Sequence, residues 1–299
     1  MYDVIIVGGG PAGLTSAIYA RRASKTVLVL EALNCGGQII NTPDIENYPV
    51  EHHISGVEFA NKLMEQASNL GAEIRYEKAV EVRDLGEEKE VVTQNGSYTG
   101  KAVILATGSE NRKLGVEDED KLVGRGVSYC ATCDGNFYRN KTVAVVGGGN
   151  TALEDALYLS NLAAKVYLIH RRDELRGAKI LQEELFAKEN VEILYSHTVS
   201  EIQGQDQVSG ALIKDVKTEE EKILPLDGVF IAVGITPNTE LVKDLAACEG
   251  GYVIAGEDCA TNIPGLYVAG DARKKPLRQV ITAVADGANA VTSIGAFLR

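Results

Sequence analysis

The chain has 299 residues, 45 % of them hydrophobic and 24 % charged, the make-up of an ordinary folded protein rather than a disordered one. With 30 Lys and Arg against 42 Asp and Glu its formal charge is −12, so it lacks the basic footprint that nucleic acid or an anionic bilayer requires. The length predicts about two domains, and five cysteines are too few for a disulfide scaffold.

The chain opens on Tyr2-Asp3-Val4-Ile5-Ile6-Val7, a buried strand by its apolar run, and we expect no signal peptide. No apolar run approaches the ~20 residues that span a bilayer, which predicts a cytoplasmic protein in a reducing compartment. Next stands Gly8-Gly9-Gly10-Pro11-Ala12-Gly13, a G-x-G-x-x-G turn leading into an amphipathic helix. The first glycine permits the tight turn, the second lets a pyrophosphate approach, and the third lets the helix pack closely. The helix N-terminus adds N–H donors and partial positive charge. Glu31 closes the following strand 18 residues after Gly13, where an acid accepts ribose hydroxyls. Glu87-Glu88-Lys89-Glu90-Val91 reads as a solvated hairpin turn. Ala102 to Gly108 is a further buried strand, ending at Thr107-Gly108, and Glu110 to Glu117 a linker.

Cys130-Ala131-Thr132-Cys133-Asp134 follows. The C-x-x-C spacing suits a small-loop disulfide and favours thiolate exchange. Zinc would need two more ligands, but there is no second pair, and His52, His53, His170 and His197 show no ligand spacing. Asp134 is the natural proton donor or acceptor beside the pair, a role compatible with capping a helix. Cys35, Cys248 and Cys259 read as packed small hydrophobes.

Thr142 to Gly149 then repeats Asp3 to Gly10 at an offset of 139. The second cradle is Gly147-Gly148-Gly149-Asn150-Thr151-Ala152, with Glu154 on the helix it opens. The same offset carries Glu31 onto His170, followed by Arg171, Arg172 and Arg176. An acid there would repel a 2′-phosphate, whereas guanidiniums bind it by charge-assisted bonds, so this unit is assigned NADPH. Lys217 to Lys222 is another solvated turn, Gly228 to Gly234 a buried strand, and Thr236 to Glu240 the second linker. Ile263 to Asp271 predicts a strand and Thr282 to Leu298 a closing helix. The fold class is therefore α/β, with two Rossmann-like (three-layer ββα) dinucleotide-binding domains. The second, at 113–240, is inserted into a discontinuous first domain at 1–112 and 241–299.

These motifs, with Gly36-Gly37-Gln38, Ile45-Glu46-Asn47-Tyr48-Pro49, Gly270-Asp271 and Arg278-Gln279-Val280, make the whole chain closely similar to the low-molecular-weight, bacterial-type thioredoxin reductases. That family is class II of the pyridine nucleotide-disulfide oxidoreductases. The resemblance implies that the first dinucleotide is FAD, with Gly37, Gln38 and Asn47 along it. It implies that Asp271 bonds the ribityl chain and that Arg278, Gln279 and Val280 border the isoalloxazine. It implies further that Cys133 faces the flavin, Cys130 attacks the partner's disulfide, Asp134 is the acid, and the protein is a homodimer. One departure is Val50-Glu51-His52-His53, where the family carries a glycine-containing loop. With the chain stopping soon after its final helix, no counterpart of the extra dimerisation domain of glutathione-reductase-type enzymes is expected.

The expected reaction passes electrons from NADPH through FAD and Cys130–Cys133 to oxidised thioredoxin. Disulfide and nicotinamide share one domain and both need the flavin, so the inserted domain is expected to rotate on its linkers. The rivals are an NADH-preferring reductase of a peroxiredoxin-reducing module, an O₂-dependent dithiol oxidase, a ferredoxin-fed reductase and a catalytically silent nucleotide-sensing flavoprotein. Arg171 and Arg172 speak against the oxidase and the ferredoxin-fed enzyme, and the Cys130/Cys133/Asp134 set against the sensor.

Overall fold

The computed structural model describes every residue except Pro43 and His52, so the histidine count and the loop departure noted above lie partly outside the described residues. The chain divides into two compact units, one built from Met1–Glu110 with Thr236–Arg299 and the other from Asn111–Ile235.

In the first unit, strand Tyr2–Val7, helix Pro11–Arg22 and strand Val27–Leu30 form the expected βαβ, with Val4 opposite Val27 in a parallel ladder. Strand Gly96–Leu105 organises the rest of the sheet. One edge pairs in parallel with Tyr2–Val7. The other takes the hairpin strand Lys89–Thr93 and then Leu266–Val268. The period-two alternation of Tyr2–Val7 sorts its residues to two layers. Val4 and Ile6 pack with Ala17 and Ala20 of the first helix and Ala290 and Ile294 of the last, whereas Ile5 and Val7 join Val82 and Val91 of the hairpin.

The last helix, Val280–Phe297, has 18 residues and a mean hydropathy of 1.3, enough by length and composition to cross a membrane. This corrects the expectation that no apolar run approaches the spanning length; one face of the helix, Ala283, Asp286, Gly287, Ala290, Val291 and Ile294, is buried in its unit. It lies on Pro11–Arg22 at Gly287, where a Cβ would stand 2.4 Å from the carbonyl oxygen of Ala12. Ser16 Oγ bonds the carbonyls of Ala12 and Gly287 at the same crossing, and Asp286 is buried one residue away.

The second unit repeats the plan. Its five-stranded parallel sheet runs Val191–Tyr195, Lys165–His170, Thr142–Val146, Gly228–Ile231, Val127–Ser128. Val143 and Val145 pack under helix Asn150–Ser160 with Leu153 and Ala156. Ala144 and Val146 turn to Val199, Ile202 and Ile213 of a three-stranded antiparallel sheet. Each unit is thus a ββα sandwich of three layers. Where the chain crosses between them, Ser109–Asn111 pairs with Ile235–Pro237. Within the first unit this crossing is pinned by Asn238, whose N–H reaches the Gly108 carbonyl at 3.0 Å and whose Nδ2 reaches Thr107 O at 3.2 Å.

Candidate active site

The redox pair stands at the end of strand Val127–Ser128. Cys130 is extended, and the single helical turn Ala131–Asp134 begins behind it, closing Asp134 N–H on the Cys130 carbonyl at 3.1 Å. That turn carries Cys133 back to Cys130, with the Cα atoms 5.3 Å apart and the sulfurs joined in a disulfide. Both cysteines are half-buried. Asp134 caps no helix; its Oδ2 accepts instead from Ser128 Oγ at 2.6 Å, while Oδ1 is buried with no hydrogen-bond partner. Burial pushes the Asp134 carboxyl up, against the pull of the Ser128 hydroxyl. Ser128 is the residue sequence reasoning missed; its only signal was its place two residues before the pair.

The remaining cysteines take no part. Cys259 is fully buried, its thiol pushed up to about 12 chiefly by burial, and Cys35 is half-buried with a raised thiol. Cys248 is exposed rather than packed, because its two-residue strand lies at the surface. Among the described residues the one group with metal-ligand proximity is Asp44, Glu46 and His53, which excludes the redox pair.

In the second unit, Gly147 N–H bonds the Ile169 carbonyl at 3.0 Å, setting the glycine turn across the end of Thr142–Val146. Gly149 precedes helix Asn150–Ser160, and a Cβ on Gly149 would meet nothing within 4 Å. That open backbone is what an approaching pyrophosphate needs. The segment after strand Lys165–His170 folds back onto this turn. Arg176 N–H and Gly177 N–H both reach the Gly148 carbonyl, and Ala178 N–H reaches Asn150 Oδ1. Arg171, Arg172 and Arg176 are exposed beside the cradle, as are Thr151 and Glu154, while Ala152 is buried. His170 differs from its neighbours: it is buried, and its ring fills the space where a Cβ on Gly148 would come within 2.2 Å of Nδ1. Its Nε2 bonds the Glu174 carbonyl, and burial pulls its pKa down, so a neutral imidazole supports the turn from beneath.

In the first unit, Glu31 braces the glycine turn, accepting from Gly9 N–H at 2.7 Å and Leu33 N–H at 2.9 Å. Each carboxylate oxygen keeps a lone pair for a hydroxyl. Gly10, ahead of Pro11, faces Gly37 across a gap lined by backbone alone, Ala12 and Gly13 are buried in the helix, and a Cβ on Gly108 would meet nothing. Gln38 donates to the Ser109 carbonyl, and Asn47 Nδ2 to Gln279 Oε1 at 3.1 Å. Gln279 caps the last helix in a reciprocal box with Thr282, which sets Val280 at its start. Asp271 is held up by burial and pulled down by Lys275 and Arg278. Its Oδ1, 4.0 Å from Lys275 Nζ, and Arg278 Nε are buried polar atoms with no hydrogen-bond partner in the protein, and such atoms are normally satisfied by a ligand or water. The Arg278 guanidinium lies 4.0 Å from the centre of the Tyr252 ring, a stacking partner not anticipated from sequence. Neither was Asp286, which accepts from Gly270 N–H at 2.9 Å, Arg273 Nη2 at 2.8 Å and Lys275 Nζ at 2.9 Å. A ligand with hydroxyls and a phosphate bridge fits these groups.

Residues 2–287 match the family model described as pyridine nucleotide-disulphide oxidoreductase. The chain belongs to that family, in its bacterial-type thioredoxin reductase branch. It is 45 % identical over 289 residues to the thioredoxin reductase of Listeria monocytogenes, covering 96 % of this chain and 91 % of that protein. The crystal structure of thioredoxin reductase from Streptococcus pyogenes aligns with a TM-score of 0.96 at 46 % identity, over 100 % of this chain and 98 % of the other. Lactococcus lactis thioredoxin reductase in its FR conformation gives 0.68 at 41 % identity, over 100 % and 99 %.

Proposed function

We propose that this enzyme is an NADPH-dependent thioredoxin-disulfide reductase. The observation that carries the reading is the Cys130–Cys133 disulfide with the half-buried Asp134 next to it, on the same sheet as a glycine cradle flanked by three exposed arginines. FAD and NADPH are the cofactors of this family. Gly8 to Gly13, Glu31, Gly37, Gln38, Asn47, Thr107, Gly108, Gly270, Asp271, Arg278, Gln279 and Val280 would hold FAD, which when bound supplies a two-electron relay between a hydride donor and a disulfide. Gly147 to Ala152 would cradle the NADPH pyrophosphate, with Glu154 exposed on the helix beyond. Arg171, Arg172 and Arg176 would clamp its 2′-phosphate, His170 supporting the turn. Cys133 would receive the electron pair, Asp134 would protonate the leaving sulfur, and Cys130 would attack the partner's disulfide.

In this reading the Asn111–Ile235 unit rotates on its two crossings between half-reactions. The two solved relatives support that, since both align over the full chain at similar identity while their TM-scores differ, the Lactococcus lactis enzyme being in its FR conformation. The partner is thioredoxin, the assembly a homodimer and the setting cytoplasmic. Anaerobic titration with NADPH, then NADH, following flavin absorbance before thioredoxin is added, tests the reading. Bleaching by NADPH and recovery of colour on adding oxidised thioredoxin are expected. A colourless protein, or a flavin that NADPH leaves oxidised, refutes it.

A further inference from the structure

We propose that Ser128 is a positioning residue for Asp134, its hydroxyl holding that carboxyl in one orientation through both protonation states. The inference rests on the reading of Cys130–Cys133 as the exchange pair. Ser128 is 3 % exposed and ends a strand paired to Phe230, so the sheet fixes its position and the loop does not. Its Oγ accepts from Cys130 N–H at 3.0 Å, lies 2.6 Å from Asp134 Oδ2 and 3.3 Å from the Cys130 carbonyl oxygen.

A serine hydroxyl has one hydrogen to give and two lone pairs. When Asp134 is ionised, that hydrogen goes to Oδ2. When Asp134 is protonated there, the carboxyl donates to Oγ and the serine hydrogen turns to the Cys130 carbonyl. Neither state leaves the hydroxyl unsatisfied, and in both Oδ1 stays free of protein partners. The proton can therefore come and go without the carboxyl losing its anchor.

The step balances as follows. A hydride equivalent, supplied by NADPH in the proposed cycle, brings two electrons that break the Cys130–Cys133 bond and leave two thiolates, and one proton that Asp134 takes up and passes to Cys130, converting it to the thiol. In the oxidative half, Asp134 takes that proton back as Cys130 attacks the partner's disulfide, and passes it to the partner sulfur that leaves. Cys133 thiolate then attacks Cys130 sulfur, restoring the disulfide and releasing the partner's second sulfur as thiolate.

Other titratable groups share the neighbourhood. Tyr138, on the turn after Asp134, feels both Asp134 and Asp227. The helix packed against Ala131–Asp134 carries Glu154, Asp155 and Tyr158. Asp155→Asn is therefore included so that its titration is kept apart.

The test reduces the holoprotein with dithiothreitol and follows iodoacetamide alkylation, mapped to Cys130, against pH. Ser128→Ala removes a bond that favours the ionised carboxylate, so its acid-limb midpoint should move up by about one pH unit. Ser128→Thr should restore it, and in an Asp134→Asn background Ser128→Ala should add no displacement. Ser128→Gly deletes the same hydroxyl should the alanine variant not fold. A Ser128→Ala profile superimposed on the unaltered one, or an equal displacement in the Asp134→Asn background, overturns the proposal. Because dithiothreitol is the reductant, failure of thioredoxin turnover would sink the proposed function and leave this readout standing.

Discussion

The backbone N–H of Arg176 donates to the Gly148 carbonyl at 2.7 Å, so the arginine segment and the glycine turn are one piece of structure. A phosphate seated near the turn meets guanidiniums held at a fixed distance from it. Replacing Arg171 and Arg172 together by alanine removes up to two charge-assisted contacts of ~1.5–3 kcal/mol each, less solvent screening. KM for NADPH should rise about tenfold or more while KM for NADH stays within about twofold. Equal losses for both coenzymes would show that these arginines do not read the 2′-phosphate.

Serine in place of Cys130 or Cys133 leaves both glycine cradles untouched. Either variant should purify yellow, and NADPH should still bleach it, while thioredoxin reduction falls to background. Stopped-flow absorbance of the flavin beside a thioredoxin-coupled assay separates the two halves, and retained turnover in either variant would be decisive against the pair.

Asp286 is the counter-charge for Arg273 and Lys275, all three essentially buried. Removing one partner of such a cluster strands the others in low dielectric and costs about 3–5 kcal/mol. Asp286→Ala should lower the urea midpoint accordingly and weaken flavin retention, since Gly270 N–H loses its acceptor next to Asp271. An unchanged midpoint would mean that water replaces the carboxylate without loss.

Burial, with Glu154 adding repulsion, pushes the Asp155 carboxyl up to about 7 from 3.8. The folded protein then holds this proton more tightly than the unfolded chain, so stability falls as pH rises from about 4 to 7 and is level beyond. Asp155→Asn should raise Tm at pH 8 and change it little at pH 4. Scanning calorimetry across that range would show the opposite trend if the carboxyl were anchored as an anion.

A bifunctional cross-link between the two units should abolish steady-state turnover while sparing one half-reaction. Single-turnover flavin reduction and reoxidation, measured separately, locate the half that survives; unaffected turnover would dispose of the rotation.

The architecture was legible because the same strand, glycine turn and helix occur twice, and each carries its own periodicity. The βαβ pairs, the hairpin turn at Lys217 and the closing helix follow from local pattern, but the charge run from Glu87 does not stay solvated: its turn ends at Glu88, and Lys89, 1 % exposed, and Val91 belong to the buried strand Lys89–Thr93. The contacts that tune the sites do not follow from local pattern either, because they join residues with no local rhythm. Asp286 meets Gly270 and Arg273 only after the last helix docks, and Tyr252 meets Arg278 only across a loop. His170 shows the limit of register arguments: the offset lands on a residue that contacts the glycine turn as Glu31 does, yet its ring is spent on packing against Gly148.

The interruption of the first unit has a bearing on biosynthesis. Strand Leu266–Val268 and helix Val280–Phe297 complete a sheet and a helix layer begun by the first hundred residues. A nascent chain can close the Asn111–Ile235 unit while its ribosome is still translating, but the amino-terminal half must wait for the final 64 residues before its core is sealed. Any chaperone that attends this protein during translation has that exposed half to guard.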